Sequence, residues 1–488
     1  MADITIQKRN EVYFQLECEP HIKYELSEYF TFEVPDAKFM PQFKNRMWDG
    51  KIRLFSPSNG ELYIGLLSYL MEWAEEREYT CAFEDNKFYG KPDETNPYIS
   101  REAIKEYMDY LTPKIKPRDY QYDAVYKGLK NYRRIILSPT GSGKSFMIYS
   151  LIRYFTAANL KTLIVVPTIS LVTQLFNDFV DYGWDAENYC HQIYGGEAKL
   201  SDMPVVITTW QSIYKLPKKY FDSYTAVIGD ECHTFKAKSL TSIMTKLHEA
   251  KYRIGFTGTL DGTKTHRLVL EGLFGLSNKV TNTADLMKRG QLSDLKIKIL
   301  LLKHESFRFP NYQDEMNYIV SHQKRNVFTR NLVRDLKGNT LVLFNYVEKH
   351  GEPLYDLINS TIGLERKVFF VHGGVEAEKR EQIRQLTEQQ NNCIIIASYG
   401  TFSTGINIKN LHNIIFASPS KSRIRNLQSI GRVLRKGENK SQAVLYDIAD
   451  DFSKGNYNNY TLNHLKERIK IYNEENFNYE IIPVNIKK

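Results

Sequence analysis

The stretch SPTGSGKS, Ser138 to Ser145, constrains this chain more than any other. It follows RRIIL, a β-branched run that reads as a buried strand. It precedes KSFMIYSLIRYF, in which Phe146, Ile148, Leu151, Ile152 and Phe155 recur at helical spacing. Strand, glycine-rich turn and helix form the setting in which successive backbone amides converge on phosphate. Gly141 and Gly143 permit the tight turn, and the helix start adds partial positive charge. On this reading Thr140, Gly141, Ser142 and Gly143 line a phosphate cradle. Lys144 reaches the β- and γ-phosphates, and Ser145 ligates Mg²⁺. Ser138 stands where G-x-x-x-x-G-K-[ST] has its first glycine. Such a cradle says only that a nucleotide binds; the rest of the chain must say what its hydrolysis drives.

From residue 113 onward the chain alternates strand and helix patterns, which predicts doubly wound parallel sheets. RRIIL, TLIVVP, PVVITTW, AVIGDE and RIGFTGT make a first series. KIKILLL, NTLVLFN, KVFFVHG, NCIIIASY, NIIFASP and AVLYDIAD make a second. No lysine or arginine breaks the middle of the first-series runs, as strands buried on both faces require. TADLMKRGQLSDLKI reads as the connection between the two series. Residues 1–112 read instead as a small α+β unit, with EVYFQLE as a strand, HIKYELSEYF and LLSYLMEWAEE as helices, and KIRLF and ELYIGL as a hairpin about Asn59-Gly60. The fold class is therefore α/β, with two tandem parallel-sheet domains, 113–290 and 291–488, behind a small α+β domain, 1–112. LNHLKERIKIYNEENF near the end reads as an amphipathic helix.

The 488 residues carry a net charge of +9, which leans towards a polyanionic partner. Cys18, Cys81, Cys190, Cys232 and Cys393 are widely spaced, which argues against a disulfide framework or a zinc site. A polar beginning and the lack of a long apolar run predict a soluble intracellular protein. Lys38 to Phe55 is the conspicuous basic stretch: Lys38, Lys44, Arg46, Lys51 and Arg53 oppose a single acid, Asp49, with Phe39, Phe43 and Trp48 interleaved. Cations to hold phosphate and rings to stack on bases suit a nucleic-acid surface. The same composition also suits a core with a solvated cationic face.

Two further stretches carry chemistry. AVIGDECH delivers Asp230 and Glu231 at the carboxyl end of a buried strand, where open α/β sheets place ligands. Asp230 would hold Mg²⁺ and Glu231 would orient and deprotonate the attacking water. His233 reads as a coupling residue rather than a metal ligand. In QSIGRVLRKG, helical spacing puts Gln428, Gly431, Arg432 and Arg435 on one face, beside an apolar face of Ile424, Leu427, Ile430 and Leu434. An arginine there would neutralise charge developing on the γ-phosphate, an effect of roughly 10³–10⁵ in rate. A glycine in mid-helix points to a close approach.

PRDYQ, SPTGSGKS, VVPTISLVTQ, ITTWQS, DECH, FTGT, VHGG, ASYGTFSTGINI and QSIGRVLRKG occur in the order of the superfamily two helicase motifs. This resemblance implies two RecA-like domains with ATP between them. It also implies adenine recognition by Arg118 and Gln121, and a Gly405 that approaches ATP or backbone. Gln428 is grouped with the nucleotide-facing residues. Thr168, Gln174, Thr208 and Trp210 would lie towards nucleic acid in the first domain, and Gly373 and Thr401 in the second. Thr257 and Thr259 would couple this track to the ATP site. FKNRMWDGKIRLF, ASYGTFSTGINIKNLHNIIFASPSKS and ENFNY resemble the UvsW-type helicases of T-even-like phages, nearly end to end. That likeness implies an ATP- and Mg²⁺-dependent motor, expected as a monomer in the cytoplasm of the bacterial host. Its implied substrates are stalled forks, Holliday junctions and R-loops. It also favours the nucleic-acid reading of Lys38–Phe55, with Lys44, Arg46, Trp48, Lys51 and Arg53 as the contacts. A duplex translocase or RNA helicase, or a binding and annealing protein without turnover, are the alternative classes; the intact Lys144, Asp230, Glu231, Arg432 and Arg435 weigh against the last. A chain beginning near Pro113 is expected to keep some ATPase.

Overall fold

Strands covered on both faces must be largely apolar, and most interior strands of the two largest sheets are such runs. The computed structural model describes residues 2–35, 37–84, 95–112, 115–405, 408, 410–436 and 440–486. The chain has an α/β architecture with two parallel RecA-like sheets behind a smaller mixed sheet. The first large sheet is ordered Cys190–Ile193, Val205–Thr209, Thr162–Val166, Ala226–Asp230, Tyr252–Thr257, Arg133–Leu137 and Ser277–Lys279. All its pairings are parallel. The second runs Val368–Val371, Ile394–Ser398, Thr340–Phe344, Asn413–Phe416, Gln442–Asp451, Asp294–Lys303 and Tyr479–Asn485, again all parallel.

The sequence-derived strands occupy the sheet interiors, except KVFFVHG, whose Val368–Val371 is an edge strand of the second sheet. The edge strands CHQI, SNK and YEIIPVN were not expected, because polar residues interrupt them as an exposed edge allows. The stretch expected to connect the two series instead contains a helix, Thr283–Lys288, and the start of the Asp294–Lys303 strand.

The chain divides into two compact units, Met1–Ser138 with Gly143–Val280, and Thr281–Lys488 with Pro139–Ser142. In the first, the small mixed sheet is ordered Phe55–Ser56, Glu61–Tyr63, Tyr13–Cys18, Ile4–Lys8 and Cys81–Phe83. Its helices Pro20–Tyr29 and Leu67–Glu76 bury Ile22, Leu26, Leu70 and Trp73 against it. KIRLF does not form one strand of a hairpin with ELYIGL. Lys51–Arg53 pairs with Thr31–Glu33 as a separate two-stranded ribbon, and only Phe55–Ser56 pairs with Glu61–Tyr63. The switch occurs at Leu54, whose amide bonds to Phe30 O at 2.9 Å.

This small sheet shares its core with one face of the first large sheet: Leu66, Leu67 and Leu70 lie in the same apolar cluster as Leu268, Leu273 and Phe274. Gly65 lies so close to the Lys264–Phe274 helix that a Cβ there would fall 2.0 Å from Glu271 O. Tyr69 donates to Glu271 Oε2 at 2.5 Å. Arg133 is buried and donates to Glu11 Oε2 at 2.5 Å and to Glu11 O at 2.8 Å. Arg253, fully buried, donates to the carbonyls of Met244, Leu247 and Leu273 and so satisfies two helix ends.

A chain starting near Pro113 would uncover this apolar face and strand the Arg133 guanidinium, so it is expected to fold poorly rather than run as a bare motor. Removing one partner of a buried ion pair costs up to about 3–5 kcal/mol. Glu11→Ala should therefore lower the stability of the first unit markedly in urea unfolding, and an unchanged midpoint would show that the pair contributes nothing.

Candidate ATP site and nucleic-acid surface

The cradle begins where the Arg133–Leu137 strand ends. Ser138 is buried, and its amide donates to Thr257 O at 2.9 Å, which ties the turn to the end of the neighbouring strand. Gly141 and Gly143 have φ of 85° and 81°, the left-handed region in which a side chain is strained. A Cβ on Gly143 would also meet Gln121 Nε2 at 2.4 Å. Gln121 is thus packed against the cradle, while its Oε1 accepts the Arg118 amide at 2.9 Å and caps the Asp119–Asn131 helix. Arg118 Nη1 donates to Tyr120 Oη at 2.7 Å. Ser142 Oγ donates to Pro139 O at 2.6 Å. The helix Lys144–Ala157 starts at Lys144 and buries Phe146, Ile148, Leu151, Ile152 and Phe155, as their spacing predicted.

Lys144 Nζ lies 3.4 Å from Glu231 Oε1. Asp230 ends the Ala226–Asp230 strand, and its Oδ1 accepts the Glu231 amide at 2.9 Å. Glu231 adopts φ 47°, unusual for a residue with a side chain and of the kind that functional turns retain. Its Oε2 is 3.3 Å from His233 Nδ1 and 3.5 Å from Thr257 Oγ1, and those two atoms are 2.9 Å apart. Burial and the adjacent Glu231 push the Asp230 carboxyl upward. Burial also opposes ionisation of Glu231, but Lys144 and His233 overcome it and hold that carboxyl well below the usual range. Cys232 is fully buried, its Sγ 2.9 Å from where a Gly255 Cβ would sit. It is therefore a packing residue, and all five cysteines are free thiols.

The donor set fits Mg²⁺: the Ser145 hydroxyl and the Asp230 carboxylate are hard oxygen ligands, and a cation would relieve the charge that Asp230 and Glu231 crowd together. Bound there, Mg²⁺ would neutralise phosphate oxygens. Ser145 Oγ is 2.8 Å from Tyr182 Oη, a phenol at the cradle that no motif flagged.

In the second unit the helix Arg423–Val433 buries Asn426, Ser429, Ile430, Gly431 and Val433. Arg432 and a half-buried Gln428 lie on it. Arg435 does not: the helix ends at Val433 with Leu434 as its cap, so Arg435 lies beyond the shared face. Lys440, buried, donates to Val433 O and to Arg435 O just beyond this helix end. The buried line also runs through Asn426 and Ser429 rather than Ile424 and Leu427. Arg432 stacks over Phe402 at 5.5 Å. A Cβ on Gly431 would come within 2.7 Å of Thr140 Cβ, which groups with this unit. Gly405 ends the helix Tyr399–Gly405, whereas Gly437 lies outside the described residues.

Among the residues expected along the nucleic-acid track, Thr168 precedes the helix Ile169–Asp181, on which Gln174 is exposed. Trp210 is half-buried at the start of its own short helix, edge-on to Tyr214. Thr208 is a correction: it is fully buried, and its hydroxyl lies against Ile193 O and Thr209 O, so it braces the strand end. Gly373 is exposed after the Val368–Val371 strand, and Thr401 is buried, accepting from Ser398 Oγ at 2.8 Å.

An open groove of about 710 Å³ is lined by Lys38, Phe43, Lys44, Arg46, Met47, Trp48 and Asp49. Lys44, Arg46 and Lys51 are exposed. Trp48 is half-buried and donates its indole N–H to Lys51 O at 2.8 Å, so it is not core. Met47 at 79% and Phe39 at 63% exposure show that the apolar members of this stretch face solvent too. Arg53 is paired with Asp49 at 2.5 Å, which weakens its case as a phosphate contact.

Comparison with known proteins accounts for nearly the whole chain. Residues 3–84 match the family described as DNA helicase UvsW, N-terminal. Residues 114–262 match the type III restriction enzyme res subunit, and 323–437 the helicase conserved C-terminal domain. The ATP-dependent DNA helicase uvsW of Enterobacteria phage T4 is 35% identical over 512 residues, covering 99% of this chain and 100% of that protein. The chain belongs to the superfamily two helicases related to UvsW. The crystal structure of T4 UvsW, at 33% identity, covers 99% of both chains with a TM-score of 0.52. The DNA 3'-5' translocase XPB2 of Sulfurisphaera tokodaii is 25% identical over 69% of this chain and 82% of its own length. The chain is thus an ATP-driven nucleic-acid motor.

Lys144→Ala removes the cation beside Glu231 and should abolish ATP hydrolysis. Glu231→Gln should bind ATP and scarcely turn it over. Near-normal turnover in either variant, measured as phosphate release with DNA present, would place the chemistry elsewhere.

Proposed function

We propose that this chain is an ATP-dependent DNA helicase that remodels branched DNA (stalled forks, Holliday junctions and R-loops) in recombination, repair and replication restart. As a phage protein it would act, as a monomer, in the cytoplasm of a bacterial host. The observation that carries this reading is the exposed basic and aromatic groove of Lys38–Trp48, fixed to the unit that holds Lys144, Asp230 and Glu231. Cations at the rim suit phosphate, and exposed Phe39, Met47 and the half-buried Trp48 suit bases that are unpaired, as they are at a branch point. The likeness to the phage T4 DNA helicase over nearly all of both chains supports DNA as the substrate.

In this proposal Gly141 to Ser145 hold the ATP phosphates, and Ser145 and Asp230 hold Mg²⁺. Arg118 and Gln121 lie at the adenine end. Glu231, kept ionised by Lys144 and His233, takes the proton of the attacking water. Arg432 and Arg435 supply positive charge to the transferring phosphoryl group. Thr168, Gln174, Trp210 and Gly373 follow the nucleic acid along the motor, with Thr401 supporting the track from its buried place beside Ser398.

Arg432→Ala and Arg435→Ala should keep ATP binding and lose hydrolysis by roughly 10³-fold or more. Normal turnover in both would reduce the Arg423–Val433 helix to a structural element.

On forked DNA, each of Lys44→Ala, Arg46→Ala and Lys51→Ala removes one cation that neutralises a phosphate. Each should therefore flatten the log–log salt dependence of binding by about 0.7–0.9. Trp48→Ala should cost roughly 1–3 kcal/mol of fork affinity. Unwinding assays on forks, plain duplex and RNA provide the decisive comparison. Equal activity on plain duplex or RNA would replace branched DNA by a duplex translocase or RNA helicase role.

A further inference from the structure

Behind Glu231 lies a polar node that no helicase motif contains. The turn Cys232–Lys236 leads from Glu231, and Thr234 donates to Glu231 O from its amide at 3.0 Å and from its hydroxyl at 2.9 Å. At the end of that turn Lys236 Nζ contacts Asp261 Oδ2 at 2.5 Å and His266 Nδ1 at 3.2 Å. Asp261 follows the Thr257–Thr259 loop. Its carboxylate also meets His266 Nδ1, and its Oδ1 accepts the Thr263 amide at 3.0 Å and hydroxyl at 2.9 Å. Burial pushes this carboxyl upward, but His266, Lys236 and Thr263 more than offset it, so Asp261 stays ionised.

Thr263 is the cap of the helix Lys264–Phe274. The first turn of that helix carries the small ribbon. Thr265 Oγ1 donates to Glu33 O at 3.3 Å, and Lys264 Nζ lies over the Phe32 ring at 5.7 Å. Phe32 and Glu33 pair with Ile52 and Lys51. A series of contacts therefore runs from the turn after Glu231 through Asp261 to the Lys51–Arg53 strand, whose Lys51 carbonyl accepts the indole N–H of the groove-lining Trp48 at 2.8 Å, all within the first unit.

We infer that Asp261 is a positioning residue that joins the turn behind Glu231 to the helix on which the ribbon is seated, so that nucleic acid held in the groove sets the rate of ATP turnover. This inference rests on the nucleic-acid reading of the groove. Asp261, Lys236 and His266 are only half-buried, so changing one should not collapse the fold.

The test uses the full chain with Asp261→Asn, Asp261→Glu, the pair Lys44→Ala/Arg46→Ala, and their combination with Asp261→Asn. Each is read for ATP turnover with and without saturating forked DNA, for fork dissociation constant and for unfolding midpoint. In Asp261→Asn the ratio of stimulated to unstimulated turnover should fall by about fivefold or more, the lower end of coupling between distinct sites, with fork affinity within about twofold. Asp261→Glu, which keeps the charge, should regain part of that ratio. The combined variant should have a ratio no lower than the worse of its parents, because both changes break one path. Equal loss of stimulated and unstimulated turnover in Asp261→Asn, or a lowered midpoint with an unchanged ratio, would overturn the inference while leaving the groove reading intact. Undiminished fork affinity in Lys44→Ala/Arg46→Ala would overturn the groove reading, and the inference with it.

Discussion

Two carboxylates placed side by side at the end of a buried strand repel each other and resist desolvation, and the first unit is arranged around that problem. Asp230 and Glu231 are divided by environment: burial and its neighbour drive the first towards the neutral form, while Lys144 and His233 keep the second ionised. A carboxylate kept ionised can accept hydrogen bonds from water, and a group crowded by charge welcomes a divalent cation. The backbone accommodates the division by putting Glu231 at φ 47°, which turns its side chain towards Lys144 and Thr257 rather than letting it continue the strand.

The same demand explains why the turns around the cradle are so heavily tied. Ser138 bonds to the Thr257 carbonyl, Thr257 contacts both His233 and Glu231, and Gln121 packs where a side chain on Gly143 would have to go. Each contact joins a different strand end or helix start. Charge developing at one point during hydrolysis meets groups that are already oriented, which is where electrostatic catalysis gains most.

Much of this was legible because it is local. The cradle, the carboxylate pair, the helix after Gly143 and the interior strands follow from spacing and from unbroken apolar runs. What escaped was decided by contacts that periodicity does not encode, several of them remote in sequence. KIRLF has one pattern but serves two partners, because the Phe30 carbonyl takes the Leu54 amide. Thr208 reads as a polar residue at a strand end, yet its hydroxyl lies against carbonyls on its own and the neighbouring strand. Arg435 follows Arg432 at helical spacing, but the helix ends at Val433, where buried Lys440 meets the last carbonyl. The docking of the small sheet depends on Gly65 and Glu271, two residues that carry no motif and are far apart in the chain. The exposed Phe39 and Met47 resolve an ambiguity that composition left open, since rings among cations fit a core as well as a surface.

The order of strands in the second sheet also bears on how this chain is made. Asp294–Lys303 sits between Gln442–Asp451 and Tyr479–Asn485, with both pairings in parallel register. Its partners arrive about 150 and 180 residues later, so loop-closure entropy must be overcome before either edge is satisfied. Until then the strand offers unpaired amides and carbonyls on both sides, with Ile297, Ile299 and Leu302 still uncovered. During synthesis the second unit therefore passes through a long interval in which a long and largely apolar strand is a template for the wrong neighbour. The first unit, whose large sheet ends at Lys279, can close well before that interval begins.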